Sequence, residues 1–487
     1  MRVGQTSIIV FSAKILAAAF GFLATVVFAR IVGAEVLGIY ALVLTIVSWV
    51  SFTTDVGVGG AIGKRISEDE EPHEFLTAGL LWIVVLAIVL SLALVGARPA
   101  VERYVSDFDQ YVALSVVWFV IALLFIRVFH TFPSRILKAE RRVHVAGLLE
   151  PVRQGLQSLF QVALVLAGFS LFGMLTGYLI GGVLVGLAGI YFVSLRPARP
   201  STRHFRDLFE YAKYSWLGKL KTRIFNEVDV LILALFVSSS AIGVYAVAWS
   251  LSKFLGLFSN SISTTLFPEI SYSSTQESTE VVRGFVEDAL MYAGLIAIPG
   301  LVGGFLLARE LMFIYGPEFI DGATVLWVLI LAVLIFAYQK QFVNALNGID
   351  RPDLAFWVNL LFALTNVGLN LLFIPQYGIE GAAIASVVSV TVALVVGYYY
   401  LAQIVEFTIP FGEIARQIFS ALLMGVIVAS GQEFIEVLGV LQRNIFIVLI
   451  LVGGGACTYF LTMIAISANF RKTINRNSPI DISDIFR

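Results

Sequence analysis

Lys14, Arg153, Lys219, Lys221, Arg223, Lys253 and Lys340 all fall inside stretches of apolar residues, as do Asp55, Glu150, Glu227 and Asp229. A charge at the centre of a membrane helix costs about 2.5–3.5 kcal/mol. The segment from Lys219 to Asp229 carries five such groups, which facing lipid would sum to roughly 12 kcal/mol. Most must therefore face protein or water. At about 100° per residue, Lys219, Arg223, Asn226 and Glu227 share one face, while Lys221 is on the other side and can snorkel to the headgroups. Cations outnumber anions in this set, and such a surplus suits an anionic ligand. Arginine offers a bidentate fork to phosphate, and lysine a point charge.

The candidate binding residues are accordingly Lys14, Arg153, Lys219, Arg223 and Lys253. Asp55, Glu227 and Asp229 are candidates for ion coupling or for counter-ions. Glu150 and Arg153, three residues apart, either pair with each other or line the site. Lys340, Arg127 and Arg416 are expected near helix ends.

Other chemistries find no residues to support them. No Walker A sequence, Gly-x-Ser-x-Gly element or His-Glu-x-x-His element occurs. Cys457 is the single cysteine, so no intramolecular disulfide framework exists. His73, His130, His144 and His204 lack metal-ligand spacing. No metal or cofactor is expected, and a net charge of −1 gives no field for nucleic acid.

The elements that must position these charges are membrane helices. The chain is 487 residues long, 59% hydrophobic and 13% charged, against about 25% charge in soluble proteins. Its mean hydropathy is +0.91. Apolar runs of membrane-spanning length predict about fourteen transmembrane helices, near 7–29, 38–60, 75–97, 110–130, 145–168, 172–194, 214–236, 241–266, 286–308, 322–345, 354–375, 381–403, 412–430 and 444–467. The first carries no cleavage site and is expected to remain as a helix. Outer loops would hold Arg30, Arg98, Arg103, Arg309 and Arg443. Inner loops are more basic, at Arg135, Lys138, Arg141 and Arg142 and again at Arg196, Arg199, Arg203 and Arg206. The positive-inside rule then places both termini in the cytoplasm of a multi-pass protein of the cell membrane.

A repeat organises these helices. Gly38, Tyr40 and Ala41 recur as Gly243, Tyr245 and Ala246, and the same offset pairs Lys14 with Lys219. Arg142 is echoed by Arg351, and Gly168 and Gly173 by Gly378 and Gly381. The copies are six helices apart, so they point the same way and form a parallel repeat. The expected fold is all-α: two six-helix bundles around a central cavity, plus two C-terminal helices. Residues 1–194 form the first bundle and 214–403 the second. A basic linker at 195–213 joins them, two helices occupy 404–467, and 468–487 is a cytoplasmic tail. Phe205, Leu208, Phe209, Ala212 and Trp216 follow helical spacing, which predicts an amphipathic helix on the inner leaflet.

Several segments resemble one family. They are Ala29-Arg30 followed by Gly38-Ile39-Tyr40, Asp55 followed by Gly57, Asp229 with Gly243-Val244-Tyr245, the run Tyr315-Gly316-Pro317-Glu318-Phe319, and the run from Asn370 to Ala385. Together they resemble the polysaccharide (O-antigen-type) flippases of the multidrug/oligosaccharidyl-lipid/polysaccharide exporter superfamily. The resemblance implies alternating-access transfer of a polyprenyl-(di)phosphate-linked oligosaccharide from the inner to the outer leaflet, for cell-surface polysaccharide or glycoprotein assembly. It also implies coupling to a proton or sodium gradient and work beside membrane lipids, glycosyltransferases or a polymerase. In this superfamily helices 1, 2, 7 and 8 line the cavity, where Lys14, Asp55, Lys219, Arg223 and Lys253 fall. Two branches remain as alternatives: cation-coupled multidrug antiporters, for which carboxylates should dominate, and peptidoglycan lipid-precursor flippases. A polymerase would need a large outer loop, and the longest here, near 98–109, 309–321 and 431–443, are short.

Overall fold

Apolar backbone in a membrane must satisfy its own hydrogen bonds, and long apolar runs do so as helices. The computed structural model describes residues 3–55, 57–68, 71–215, 220, 223–256, 279–437 and 445–477, and among these all regular structure is helical. Nine helices among the described residues are long and apolar enough to cross a membrane. The chain divides into two compact units, Met1–Gly243 and Val244–Arg487.

In the first unit α1 runs Val3–Asp55, broken at Gly33 (φ 82°, ψ 177°). The expected loop at 30–37 is thus helical except at one residue, whose backbone only glycine adopts cheaply. Gly57 (φ 78°) turns the chain into α2, Val58–Ser67. Then follow α3 (Pro72–Gly96), α4 (Arg98–Tyr104), α5 (Val116–Ala139), α6 (Val143–Leu166) and α7 (Ser170–Phe192). Helix α5 starts later and ends later than the apolar run at 110–130 suggested. Small residues let α7 approach α6 closely: a Cβ on Gly177 would lie 2.5 Å from the Gln161 backbone N, and one on Gly181 would lie 2.7 Å from that of Gln157.

The linker contains the amphipathic helix α8, Thr202–Ser215. Its Leu208 and Ala212 are buried against Val58, Ile62 and Phe75, with Phe205 beside them. Trp216 lies outside the described residues. The preceding irregular segment of linker is tied down by side chains: Glu140 Oε1 accepts from the Ser194 and Leu195 amides at 2.9 and 2.8 Å, and Thr77 Oγ1 from the Ala198 amide at 2.9 Å. A π-helical turn, Ile224–Val228, leads into Asp229–Leu233. A further helix, α9, spans 239–256. Its first turns pack against α1, where a Cβ on Gly38 would lie 1.8 Å from Ser239 O and one on Gly243 would lie 1.9 Å from Ala34 O. The two glycines of the sequence repeat therefore serve one close helix crossing.

The second unit comprises α10 (Thr279–Ala293), α11 (Ala297–Phe313), α12 (Ala323–Gly348), α13 (Pro352–Ala402), α14 (Phe411–Val437), α15 (Ile445–Ile466) and α16 (Ala468–Asn477). Helix α13 is broken at Gly378 (φ 56°). Leu295, Leu307, Met424, Tyr459 and Met463 form a core that joins α14 and α15 to α11. The second echo in the sequence has a local cause. In the first unit Arg141 (φ 62°) ends α5, and the Arg142 amide bonds to Leu137 O at 2.8 Å. In the second, Asp350 (φ 62°) ends α12, and the Arg351 amide bonds to Leu346 O at 2.9 Å. Both are left-handed C-terminal caps of the Schellman type.

Candidate functional site

The charges of the first unit converge from four segments. Helix α6 is the most polar: Glu150, Arg153, Gln157 and Gln161 recur at intervals of three and four and form one stripe. Helix α5 brings Arg127, and the second leg of α1 brings Tyr40, Ser48 and Phe52. The π-helical turn brings Glu227, with Arg223 just before it. Such turns widen a helix by one residue and recur at functional sites.

Arg223 is held on several sides. Its Nη1 donates to Glu227 Oε1 at 2.7 Å and also to Ser48 Oγ, and its guanidinium stands 5.6 Å from the Phe52 ring centre. Ser48 Oγ in turn donates to Glu227 Oε1 at 2.7 Å. The Arg223 and Glu227 side chains are only 20% and 22% exposed. Arg153 is saturated. Its Nε donates to Glu150 Oε2 at 3.0 Å, its Nη2 to Glu150 Oε1, and its Nη1 to Gln157 Oε1 at 2.5 Å. Gln157 continues the chain to Tyr178 O at 3.3 Å. One turn on, Gln161 Nε2 donates to Tyr40 Oη at 2.6 Å and to Met174 O at 2.7 Å. The bonds made by Arg153 and Arg223 are charge-assisted, which is how arginines persist in a poorly solvated interior.

Arg127 differs. It lies halfway along the 24-residue α5, within electrostatic reach of Tyr178, Arg223, Glu227 and Arg153. Among the described residues its guanidinium has no hydrogen bond or ion pair. Three guanidinium groups thus face two carboxylates, and the surplus is cationic. An arrangement of this kind holds an anion through forked hydrogen bonds. Among the described residues no three His, Cys, Asp or Glu side chains group as metal ligands.

The other residues singled out in the sequence are distributed differently. Asp55 Oδ1 accepts from Arg135 Nη1 at 2.6 Å and from the Gly59 amide at 2.9 Å, so it locks the α1–α2 turn to α5. Asp229 is buried one residue past the π-helical turn. Lys253 belongs to the second unit and stands 5.5 Å from the Trp249 ring centre. Lys14 lies in α1, with its side chain outside the described part, and Lys219 and Lys221 lie outside the described residues.

The sequence reading placed Arg127 near a helix end and Tyr40 in the repeat, and gave neither these nor Ser48, Gln157 and Gln161 a role in the site. For Arg127 the missed signal was the apolar residues Val128, Phe129 and Phe132, which carry the helix past it.

Comparison with known proteins gives consistent likenesses. A family model described as "Polysaccharide biosynthesis protein" matches residues 27–323. The probable flippase AglR of Haloferax volcanii is 30% identical over 480 residues, 98% of each chain. The probable low-salt glycan biosynthesis flippase Agl15 of the same organism is 27% identical over 444 residues, 91% of this chain and 92% of its own. Among solved structures, the lipid II flippase MurJ in an inward closed conformation superposes with a TM-score of 0.75 at 16% identity, covering 96% of this chain and all of that one.

Proposed function

The chain belongs to the polysaccharide biosynthesis and flippase family, whose members are multi-pass membrane transporters and not enzymes, and we propose on that premise that it carries a polyprenyl-(di)phosphate-linked oligosaccharide from the inner to the outer leaflet by alternating access. The observation that carries the reading is the arginine cluster of the first unit, which meets the phosphate of such a headgroup. The relatives named as flippases support the same substrate class. A sugar–phosphate headgroup loses its water in hydrocarbon. Arg153, Arg223 and the α6 glutamines replace that water with fixed donors, while the polyprenyl tail stays in lipid.

Fourteen spans follow from this reading. Gly33 and Gly378 each divide one of the nine long helices into two. Polar α6 adds a twelfth, and the segments around 223–233 and 239–256 supply the rest. They form two parallel six-helix repeats (1–194 and 214–403, joined by the linker 195–213) with two further helices in 404–467. Both termini, with the tail 468–487, are cytoplasmic. Lys14, Lys219 and Lys253 add cations along the route, and Asp55, Glu227 and Asp229 act as counter-ions or couple transport to a proton or sodium gradient. Glycosyltransferases or a polymerase of the same pathway supply or consume the substrate.

The multidrug antiporter reading is weaker, because Glu150 and Glu227 are already neutralised by arginine. In cells lacking the chain, glycan-charged carrier should accumulate on the cytoplasmic leaflet. The wild-type gene should clear it, and an Arg153→Ala/Arg223→Ala variant that inserts normally should not. Absence of accumulation in the deleted strain would count against the reading.

A further inference from the structure

Arg127, Arg153 and Arg223 are not equivalent, and the difference assigns them an order of use. Arg153 has all three of its nitrogens engaged, by Glu150 and Gln157. Arg223 is engaged by Glu227, Ser48 and the Phe52 ring. Arg127 has no hydrogen-bonded or ion-paired partner among the described residues, so its guanidinium keeps its full donor capacity for a ligand. An arginine in mid-span is costly unless it faces water, an anion or protein dipoles. The charged groups that act on it electrostatically are the two other arginines and Glu227.

We propose that Arg127 is the first phosphate ligand of the headgroup, and that Glu150 and Glu227 are resident counter-anions which the phosphate displaces from Arg153 and Arg223. This rests on the reading of the substrate as a lipid-linked (di)phosphate. The geometry supports a graded exchange. The Glu150 side chain is 59% exposed, against 22% for Glu227, so parting it from Arg153 is the less costly of the two exchanges. Glu227 is mostly buried, with Oε2 unpartnered among the described residues, so giving up Arg223 costs more and comes second. The same carboxylates recapture their arginines when the headgroup leaves. They therefore weaken binding and speed release, which a transporter needs more than tight affinity.

The test uses the full chain in lipid nanodiscs, with farnesyl diphosphate as the probe and farnesol as the uncharged control, read by titration calorimetry. Arg127→Gln should weaken farnesyl diphosphate binding about tenfold, the loss of one charge-assisted donor pair, and Arg127→Lys should recover part of it. Glu150→Gln should tighten binding about threefold, because Arg153 then no longer spends most of its time occupied. If Arg127→Gln stays within about twofold of wild type while Arg153→Gln weakens binding about tenfold, the role of Arg127 is refuted and the substrate reading stands. If Glu150→Gln does not tighten binding, the displaceable counter-anion is refuted. If wild type binds farnesyl diphosphate no better than farnesol, the substrate reading falls. Should Arg127→Gln fail to fold, Arg127→Lys against wild type and the Glu150→Gln titration decide the matter.

Discussion

Adding one methyl group to Gly38 or to Gly243 should destabilise the first unit, and adding both should cost less than the sum. A Cβ on Gly38 would sit 1.8 Å from Ser239 O, and one on Gly243 would sit 1.9 Å from Ala34 O. Carbon and oxygen rest in contact at about 3.3 Å, so α1 and α9 must separate by about 1.5 Å to admit either methyl. The obstacle in each case is backbone, which cannot rotate aside as a side chain does. Overpacking of this kind costs about 1–3 kcal/mol. Once one alanine has opened the crossing, the second enters a gap already made, so the double variant should fall short of additivity by about 1 kcal/mol or more. Reversible unfolding of the purified chain in mixed SDS micelles, run as a double-mutant cycle, measures this. Additivity within about 0.5 kcal/mol would refute the shared crossing, as would single variants as stable as wild type.

Three further outcomes follow from contacts within one unit. Asp55→Asn should leave Arg135 without its anion and loosen the α1–α2 turn, and a cycle with Arg135→Gln should show coupling of about 1–2 kcal/mol, moderated by the partial exposure of both groups. Glu413 is buried and accepts from Ser467 Oγ at 2.8 Å and Asn469 Nδ2 at 3.0 Å, so Glu413→Ala should raise amide exchange over 468–477 while α11 stays protected. Tyr104 donates its hydroxyl to Leu231 O, and burial pushes its phenol from the ordinary 10.0 up to about 12. The folded state then holds a proton that the unfolded state releases, so this contribution is intact below pH 10.0 and is lost as pH rises toward about 12. Wild type should lose stability relative to Tyr104→Phe across that window in parallel melts, and parallel curves would exclude the burial as the cause.

The fold was legible in the sequence to the extent that it depends on hydrophobic run length and on glycine. Helical spacing at Leu208 and Ala212 marked a helix that the structure has at Thr202–Ser215, its apolar residues packed on Val58, Ile62 and Phe75, and Gly38 and Gly243 stood out as matched positions. The sequence could not say that these two glycines meet, because periodicity carries no information about which helices cross. Helix ends were the weakest part. Placing the end of α5 near residue 130 made Arg127 a boundary residue and Arg135 a loop residue, yet the helix continues to Ala139, which puts Arg127 in mid-helix and Arg135 against Asp55. The pairing of Arg223 with Glu227 was within reach, since four residues apart on a helix are neighbours. Ser48 was not, because its link to Glu227 spans 179 positions of chain. The π-helical turn also left no sequence signature.

The central claim is that the arginine cluster carries a phosphate-linked glycan between leaflets. It is tested most directly by reconstituting the purified chain in proteoliposomes and following the leaflet exposure of a lipid-linked oligosaccharide under an imposed ion gradient. Wild type should move the lipid to the opposite leaflet, and the Arg153→Ala/Arg223→Ala variant, reconstituted to the same level, should leave it where it was loaded. Equal movement by the variant would contradict the role of the cluster, and no movement by wild type under either a proton or a sodium gradient would contradict the assignment of the substrate.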